Sequence, residues 1–183
     1  MHNEWQEVLD FWFKESTNKQ WFEKKPQFDA IIRDRFKLTT EKASRGELAH
    51  WRCSIKGRLA EIIVLDQFSR NIWRDTAKAF SQDNMALMLA QEAIKQPDYT
   101  HLPIKERKFI LMPFMHSESP FIHQQAVPLF TALNDKITLE FEMRHKEIID
   151  HFGRYPHRNG ILNRDSTPEE ILFLKNRVQV FSL

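Results

Sequence analysis

The sequence predicts an all-α fold, and three observations lead to that prediction. Apolar residues recur at the i, i+3, i+4 and i+7 spacing of amphipathic helices over most of the chain. Prolines and capping residues stand where these periodic stretches begin. Glycine is scarce, with 4 residues in 183, and runs of valine or threonine are few, so little favours a sheet. A chain of this length fits one domain, which we expect to span residues 1–183.

The first two helices follow from stripes of aromatic and aliphatic side chains. Asn3 is well placed to cap the first helix. Pro26 suits the first turn of the second helix, which should end near Gly46 because glycine readily adopts the left-handed conformation of a C-cap. The stripes consist of Trp5, Val8, Leu9, Trp12 and Phe13 in the first helix and of Phe28, Ile31, Ile32 and Phe36 in the second.

Two further helices occupy the middle of the chain. The third, from about Arg58 to Trp73, is apolar almost all round and should therefore lie at the centre of the domain. The fourth, from about Ala77 to Gln96, ends before Pro97, because proline cannot continue a helix.

Prolines also bound the next two helices. Pro103 opens a fifth helix, and Pro113 within it should kink or terminate that helix. Pro120 opens a sixth helix, which runs to about Leu133.

The last two helices have clear ends. The seventh spans about Thr138 to Phe152, and Gly153 closes it. Residues 167–170, Thr-Pro-Glu-Glu, fit a capping box, so an eighth helix should begin there and run toward Arg177. We expect the eight helices to pack as antiparallel pairs around an aromatic core, since the chain contains 15 Phe and 5 Trp.

Composition excludes several classes of protein. Lys plus Arg number 27 against 25 Asp plus Glu, which is too balanced for an extended nucleic-acid-binding face. The lone Cys53 excludes an intramolecular disulfide, and we expect it to behave as a small hydrophobic residue. The first residues lack a signal pattern, and the longest apolar run, Phe109 to Met115, is shorter than the roughly 20 residues of a membrane span. We therefore expect a soluble, cytoplasmic protein.

Three polar segments interrupt the apolar pattern. The densest is residues 151–159, which contain two arginines, two histidines and an asparagine, together with the helix breakers Gly153 and Pro156. The other two are residues 66–71 and 116–118. The polar side chains of interest are Asp66, Arg70, Asn71, His116, Ser117, Glu118, Arg154, His157, Arg158 and Asn159. We expect the three segments to meet in one polar centre.

Ionisable side chains also occupy positions that helical periodicity reserves for the core. Asp66 and Arg70 do so in the third helix, where a spacing of four residues lets them pair. Asp83 and His145 interrupt the apolar stripes of the fourth and seventh helices. A buried charge is costly unless it has a partner, so each of these groups should have one.

Two interpretations of the polar centre remain open. In the first, a fully satisfied network only clamps the helices together. In the second, the centre is a cleft in which arginines bind a phosphate or carboxylate and Asp66 orients one of them. The expected ligand-binding residues are Asp66, Arg70, Asn71, Arg154, His157, Arg158 and Asn159. Arg154 and Arg158 would also pair with the aspartates. The candidates for acid/base catalysis are His116, Glu118 and His157.

Metal and nucleophile signatures are weak. The chain has no His-x-x-x-His helix, no cysteine pair and no Asp-x-Asp loop, so we predict no metal site and no cofactor. Ser117 lies in no strand–turn–helix elbow, and a glycine-rich phosphate loop is lacking.

At these motifs the chain resembles a bacterial family catalogued as domain of unknown function, family nine-twenty-four. The resemblance covers nearly all 183 residues, from residues 8–13 through 65–71, 112–118 and 152–159 to 166–170. The family usually has proline where this chain has Ser69, and often glycine where it has Asn163. The resemblance implies an all-helical fold near the tetratricopeptide-like superhelices, and it implies no established activity.

The sequence thus supports three hypotheses of function. The favoured one is binding of a small anionic ligand, or of an anionic peptide end, in a polar cleft rich in arginine and histidine. The second is an enzyme in which His116, with Glu118 or His157, performs acid/base chemistry on an anionic substrate. The third is a protein-interaction module whose polar motifs only brace the fold.

Overall fold

Every regular element in the described part of the chain, residues 3–177 of a computed structural model, is helical. The two ends of the predicted domain, residues 1–2 and 178–183, lie outside the described residues. The α-helices, in chain order, are α1 (Glu4–Asp10), α2 (Asn18–Phe22), α3 (Pro26–Ser44), α4 (Ile55–Ile63), α5 (Ser69–Ile72), α6 (Asp83–Ala93), α7 (Ile104–His116), α8 (Pro120–Ala132), α9 (Lys136–Phe152) and α10 (Pro168–Lys175). The all-α prediction is confirmed.

Other helical turns connect these helices. Two π-helical turns, Phe11–Glu15 and Val64–Phe68, extend α1 and join α4 to α5. Four 3₁₀ turns lie at Ala49–Cys53, Ala77–Phe80, Pro97–His101 and Pro156–Arg158. No helix within residues 3–177 is both long enough and apolar enough to cross a membrane.

Aromatic rings build the centre of the core, as the composition predicts. The buried indole of Trp12 lies 5.7 Å from the ring of Phe68 and 5.4 Å from that of Phe109, measured between centroids, and both contacts are edge-on. Phe28 of α3 lies 6.2 Å from Trp12. These contacts join the amino-terminal helix to α3, α7 and the central helical segment, and each ring buries a large apolar area.

The central segment is the third predicted helix. Residues 59–72 are all buried, which confirms its predicted position at the centre. The π-helical turn Val64–Phe68 interrupts the regular spacing and contains Asp66. Such turns insert one extra residue per hydrogen-bonded ring and frequently occur at functional sites.

Helix ends follow the predicted chemistry. Gly46 and Gly153 both adopt left-handed backbone conformations, with φ of 74° and 72°, and Gly153 caps α9. Thr167 forms the predicted capping box with Glu170 at the start of α10.

Two expectations are wrong, and a third is wrong in part. The predicted fourth helix is split, because a 3₁₀ turn at Ala77–Phe80 precedes α6. Of the two outcomes expected at Pro113, a kink or an end of the helix, the end does not occur, since α7 continues to His116. Residues 109–116 are all buried, and this packing offsets the backbone hydrogen bond that proline cannot donate. Cys53 is exposed and does not serve as a small core residue.

Candidate functional site

A cleft of about 240 Å³ opens between the start of α6, the end of α7 and the loop that follows α9. Its polar lining includes Asp83, His116, Glu118 and Arg158. Its apolar lining includes Phe80, Leu87, Pro113 and Leu162. Residues from two of the three polar segments therefore line one cavity, and the segment 66–71 lies directly behind it.

Asp66 and His116 form a buried carboxylate–histidine pair behind the cleft wall. His116 Nδ1 lies 2.7 Å from Asp66 Oδ1, and the two residues are 1% and 0% exposed. Asp66 Oδ2 accepts a second hydrogen bond, of 2.8 Å, from Gln67 Nε2. The π-helical turn brings Asp66 to this position, and the last residue of α7 brings His116.

The surroundings determine the protonation of this pair. Burial opposes ionisation of Asp66, but its interactions with His116 and Arg70 and a hydrogen bond from Gln67 outweigh burial and lower the pKa of Asp66. Burial and Arg70 lower the pKa of His116 from 6.5, against the opposing effect of Asp66. At neutral pH the carboxylate is thus ionised and the imidazole neutral. Because an ionised carboxylate only accepts, Nδ1 holds the proton and Nε2 presents a lone pair.

His116 Nε2 is a buried polar atom without a hydrogen-bond partner among residues 3–177. Such atoms are rare in folded proteins, because an unmade hydrogen bond in the interior costs roughly 1–3 kcal/mol. His116 belongs to the cleft lining, but its side chain is fully buried, so the imidazole lies just behind the surface that a molecule in the cleft would touch.

Arg70 is held by carboxylates. Its Nη1 and Nη2 donate to the two oxygens of Asp83 at 2.7 and 3.0 Å, and Nη1 also donates to the Asp66 carbonyl at 2.8 Å. The predicted pairing with the Asp66 carboxylate is looser, at 3.6 Å. Burial opposes the charge of Arg70, but Asp83 and Asp66 raise its pKa. Asp83 is therefore the principal partner of Arg70, in a bidentate pair.

Arg158 lines the cleft and has fewer partners than Arg70. Its Nη2 donates to the His116 carbonyl at 3.1 Å, and its Nη1 lies 3.7 Å from Asp83 Oδ2. Its buried Nε has no hydrogen-bond partner in the described range. The guanidinium lies over the rings of Phe80 and Tyr155, at 4.6 and 4.7 Å from their centroids. Burial and the nearby Arg70 lower the pKa of Arg158, although an arginine stays charged at neutral pH.

Glu118 closes one side of the cleft. It accepts a hydrogen bond of 2.8 Å from the Tyr155 amide and two, of 2.9 and 3.0 Å, from Arg164. Burial raises the pKa of Glu118, but these donors outweigh it and lower the pKa overall. Glu118 is thus an ionised, firmly held carboxylate, which makes it a poor proton donor at neutral pH.

A second carboxylate–histidine pair lies deeper in the protein. His123 Nδ1 is 2.6 Å from Glu142 Oε1, and both residues are fully buried. His123 Nε2 lies 2.7 Å from the Ser117 carbonyl and 3.2 Å from the Tyr155 hydroxyl. Tyr155 in turn donates to the Met115 carbonyl at 2.5 Å. His123 and Tyr155 thus hold the backbone on both sides of His116, at the carbonyls of Ser117 and Met115.

Six predicted site residues lie outside the cleft lining: Asp66 and Arg70 lie behind it, and four others make contacts elsewhere. Arg154 pairs with Glu170 at 2.8 and 2.9 Å, so its predicted pairing with the aspartates is wrong. Asn159 also contacts Glu170 and accepts a hydrogen bond from Arg164. The other two are His157, whose ring lies 5.5 Å from that of Tyr155, and Asn71, which donates to Asp29 of α3.

Sequence reasoning missed His123, Glu142, Tyr155 and Arg164. Two of them had a readable signal. His123 shares the buried stripe of α8 with Ala126 and Phe130, and Glu142 belongs to the buried stripe of α9. The same reasoning that singled out Asp66 would have found both. Arg164 had no such signal, because it lies in an irregular segment.

The arrangement suits the binding of an oxygen-rich, ionisable ligand, because it combines a charged guanidinium with a histidine lone pair. Within residues 3–177 no group of three or more His, Cys, Asp or Glu side chains is placed to hold a metal ion. The fold and the cleft thus define an all-helical protein with a small polar site built around a buried histidine.

The chain belongs to the DUF924 family, described as bacterial proteins of unknown function, whose model matches residues 8–177. A solved structure titled as a protein of unknown function, ATU0120 from Agrobacterium tumefaciens, is similar, with 36% sequence identity and a TM-score of 0.90. The similarity covers 94% of this chain and 97% of that one. No curated protein matches the chain. These comparisons confirm the family expected from the motifs, and they assign no activity to it.

Proposed function

We propose that the protein binds a small anionic ligand, a carboxylate or phosphate, in the cleft between His116 and Arg158. The observation that supports this most strongly is that both residues belong to the cleft lining and that each has, behind that lining, a buried nitrogen without a hydrogen-bond partner in the described range. A bound oxyanion would accept from the guanidinium and lie close to the imidazole.

The contrast between the arginines supports the choice of Arg158. Arg70 and Arg154 each make bidentate hydrogen bonds with a carboxylate, so their charges are already matched. Arg158 lies 3.7 Å from its nearest carboxylate oxygen, that of Asp83, and shares that group with Arg70. An anion near Arg158 would therefore add an interaction without displacing an existing close ion pair.

The size of the cleft limits the ligand. A volume of about 240 Å³ suits a small molecule better than a folded domain. Leu87 and Leu162 add apolar surface to the lining, so a short hydrocarbon part can accompany the anionic group.

The experiment is thermal denaturation with increasing sodium sulfate, phosphate or butyrate, with sodium chloride matched for ionic strength. Ligand that binds only the folded state raises stability by RT ln(1 + [L]/Kd), about 2.7 kcal/mol at a concentration of 100 Kd. We expect at least one of the three oxyanions to raise Tm of the wild type beyond the chloride control, and expect this increment to vanish in Arg158→Gln.

Arg154→Gln is the matched control. It changes the same residue type in the same loop but removes a side chain that pairs with Glu170 outside the cleft. The increment should persist in this variant. A folded Arg158→Gln protein that keeps the full increment would refute the assignment of the site.

Acid/base catalysis is a second candidate function, favoured by the Asp66–His116 pair. A carboxylate that holds Nδ1–H leaves Nε2 free to accept a proton from a substrate, and such general bases contribute typically about 10²–10⁴-fold to rates. The test is hydrolysis of p-nitrophenyl phosphate and p-nitrophenyl acetate by the wild type and by His116→Ala. Turnover that is unaffected by the substitution would reject this role for His116.

A further inference from the structure

We infer that the cleft takes up a small monocarboxylate together with one proton, which His116 receives at Nε2. The inference rests on the proposed function and names its ligand class: a carboxylic acid with a short apolar body, bound as carboxylate and imidazolium.

The first argument is charge balance. The charged side chains at and behind the cleft form two ion-paired sets, with three negative and three positive groups in total and no surplus of either sign. The negative groups are Asp66, Asp83 and Glu118, and the positive groups are Arg70, Arg158 and Arg164. An anion that enters alone would leave one uncompensated negative charge in this largely buried region, which is costly. A monocarboxylate with one proton restores neutrality, whereas sulfate with one proton leaves a charge of −1.

The second argument is that His116 is built to receive the proton. Asp66 Oδ1 already accepts from Nδ1 at 2.7 Å, so an imidazolium at this position would keep a direct ionic partner. Nε2 has no partner among the described residues that protonation would disturb. A carboxylate in the cleft would add a second negative charge beside the ring, and both charges favour the imidazolium.

Charged or titratable groups face His116 from every neighbouring element, and none of them replaces His116 as the group that receives the proton. They are Asp66 of the π-helical turn, Arg70 of α5, Asp83 of α6, His145 of α9 and Arg158 of the last 3₁₀ turn. Burial lowers the pKa of His145 to about 3, and its Nδ1 contacts the Phe141 carbonyl at 2.6 Å. The positive charge of Arg70 opposes protonation of His116. Arg70 is paired with a carboxylate, however, since its Nη1 lies 2.7 Å from Asp83 Oδ1.

The third argument is the apolar lining. Phe80, Leu87, Pro113 and Leu162 surround the polar groups. Inorganic oxyanions would leave this surface uncovered, whereas a hydrocarbon chain of a few carbons would bury it. Butyrate is therefore the probe, and sulfate is its comparison.

The experiment is isothermal titration of the wild-type protein with sodium butyrate between pH 6.5 and pH 8, in two buffers that differ in ionisation enthalpy. Butyrate stays ionised throughout this range, so any proton taken up goes to the protein. We expect proton uptake that approaches one per butyrate, and affinity that falls toward tenfold per pH unit at the alkaline end. Sulfate should bind more weakly than butyrate.

His116→Gln is the diagnostic variant, because glutamine is polar but does not titrate. It should bind butyrate with an affinity independent of pH and with no proton uptake. Binding of butyrate by the wild type without proton uptake, or sulfate binding as strong as butyrate binding, would overturn this inference and leave the proposed function standing. If butyrate does not bind the wild type, this inference fails, and if sulfate, phosphate and butyrate all fail to bind, the proposed function fails with it.

Discussion

Two buried carboxylate–histidine pairs, whose histidines lie at the end of α7 and in α8, differ in the atom that lacks a hydrogen-bond partner among the described residues. That atom is Nε2 of His116 in the pair beside the cleft and Oε2 of Glu142, away from the cleft lining, in the other. Asp66–His116 and Glu142–His123 have nearly equal contacts, of 2.7 and 2.6 Å. Nε2 of His123 is occupied by the Ser117 carbonyl, whereas Nε2 of His116 has no partner within residues 3–177. Residue types alone thus do not distinguish a structural pair from a candidate site. The unmet hydrogen bond beside a cavity does.

The acceptors around His123 show why that pair is structural. A carbonyl oxygen only accepts, and the Tyr155 hydroxyl donates to Met115, so Nε2 of His123 must carry a hydrogen. His123 Nδ1 and Glu142 then share a proton, and burial raises the pKa of Glu142. Every position on the His123 ring is thereby committed to holding α8, α9 and the end of α7 together.

The largest expected effect separates the two pairs by stability. His123→Ala leaves Glu142 buried without its partner, and we expect a loss of about 3–5 kcal/mol in unfolding free energy. His116→Ala should cost less, about 1–3 kcal/mol, because Asp66 keeps Gln67 as a donor and Arg70 nearby. Urea denaturation of both variants measures the difference. Equal losses would mean that the pairs are energetically equivalent and that the comparison does not hold.

Acid should destabilise the protein through two other histidines, the buried His145 and the half-buried His157. Burial lowers the pKa values of His145 and His157 to about 3, below the unfolded value of about 6.5. The unfolded chain then binds more protons between these values, so stability is full above pH 6.5 and is lost as pH falls. Each histidine should contribute about 2 kcal/mol of loss by pH 5.

The slope of stability against pH, measured by urea denaturation from pH 7 to pH 5, tests this expectation. His145→Gln should flatten the slope, whatever its effect at pH 7. His151→Gln is the control, because His151 is exposed. A slope in His145→Gln as steep as that of the wild type would contradict the assigned protonation.

A smaller loss of stability is expected when the Tyr155 hydroxyl, which lies between His123 and the end of α7, is removed. Tyr155→Phe removes the donor to Met115 and leaves the ring in place, so we expect a loss of about 1–2 kcal/mol. Binding of butyrate should change little, since the hydroxyl faces His123 and not the cleft lining. Denaturation of this variant measures its stability, and titration measures its affinity for butyrate. A large loss of binding with little loss of stability would show that Tyr155 contributes to the ligand-binding site.

The smallest effect belongs to Arg154→Ala. This guanidinium is partly exposed and its partner Glu170 is buried, but Glu170 keeps the hydrogen bonds that it accepts from the Thr167 amide and from Asn159. We expect Tm to stay close to that of the wild type. A large fall in Tm would show that this loop braces the fold more strongly than the contacts suggest.

The sequence predicted the helices well because their periodicity and caps are local. Gly46, Gly153 and the capping box at Thr167 lie where predicted. α7 does not end at Pro113 for a physical reason: burial of the surrounding residues offsets one lost hydrogen bond, and the sequence does not reveal burial on that scale.

The site was harder to predict than the fold. Asp66 stood out because it interrupts an apolar stripe, and the structure places it behind the cleft. The sequence did not reveal which carboxylate each arginine pairs with, because an arginine has the same chemistry whichever carboxylate it contacts. Arg154 pairs with Glu170 and Arg164 with Glu118, and nothing in the local sequence distinguishes these choices from Asp66 or Asp83.

The most direct test of the central claim is a crystal structure of the wild-type protein soaked in sodium butyrate and, separately, in sodium sulfate. The account predicts an oxyanion within hydrogen-bond distance of the Arg158 guanidinium and of His116 Nε2. A cleft that holds no anion in either crystal, while anions collect on exposed side chains elsewhere, would contradict it.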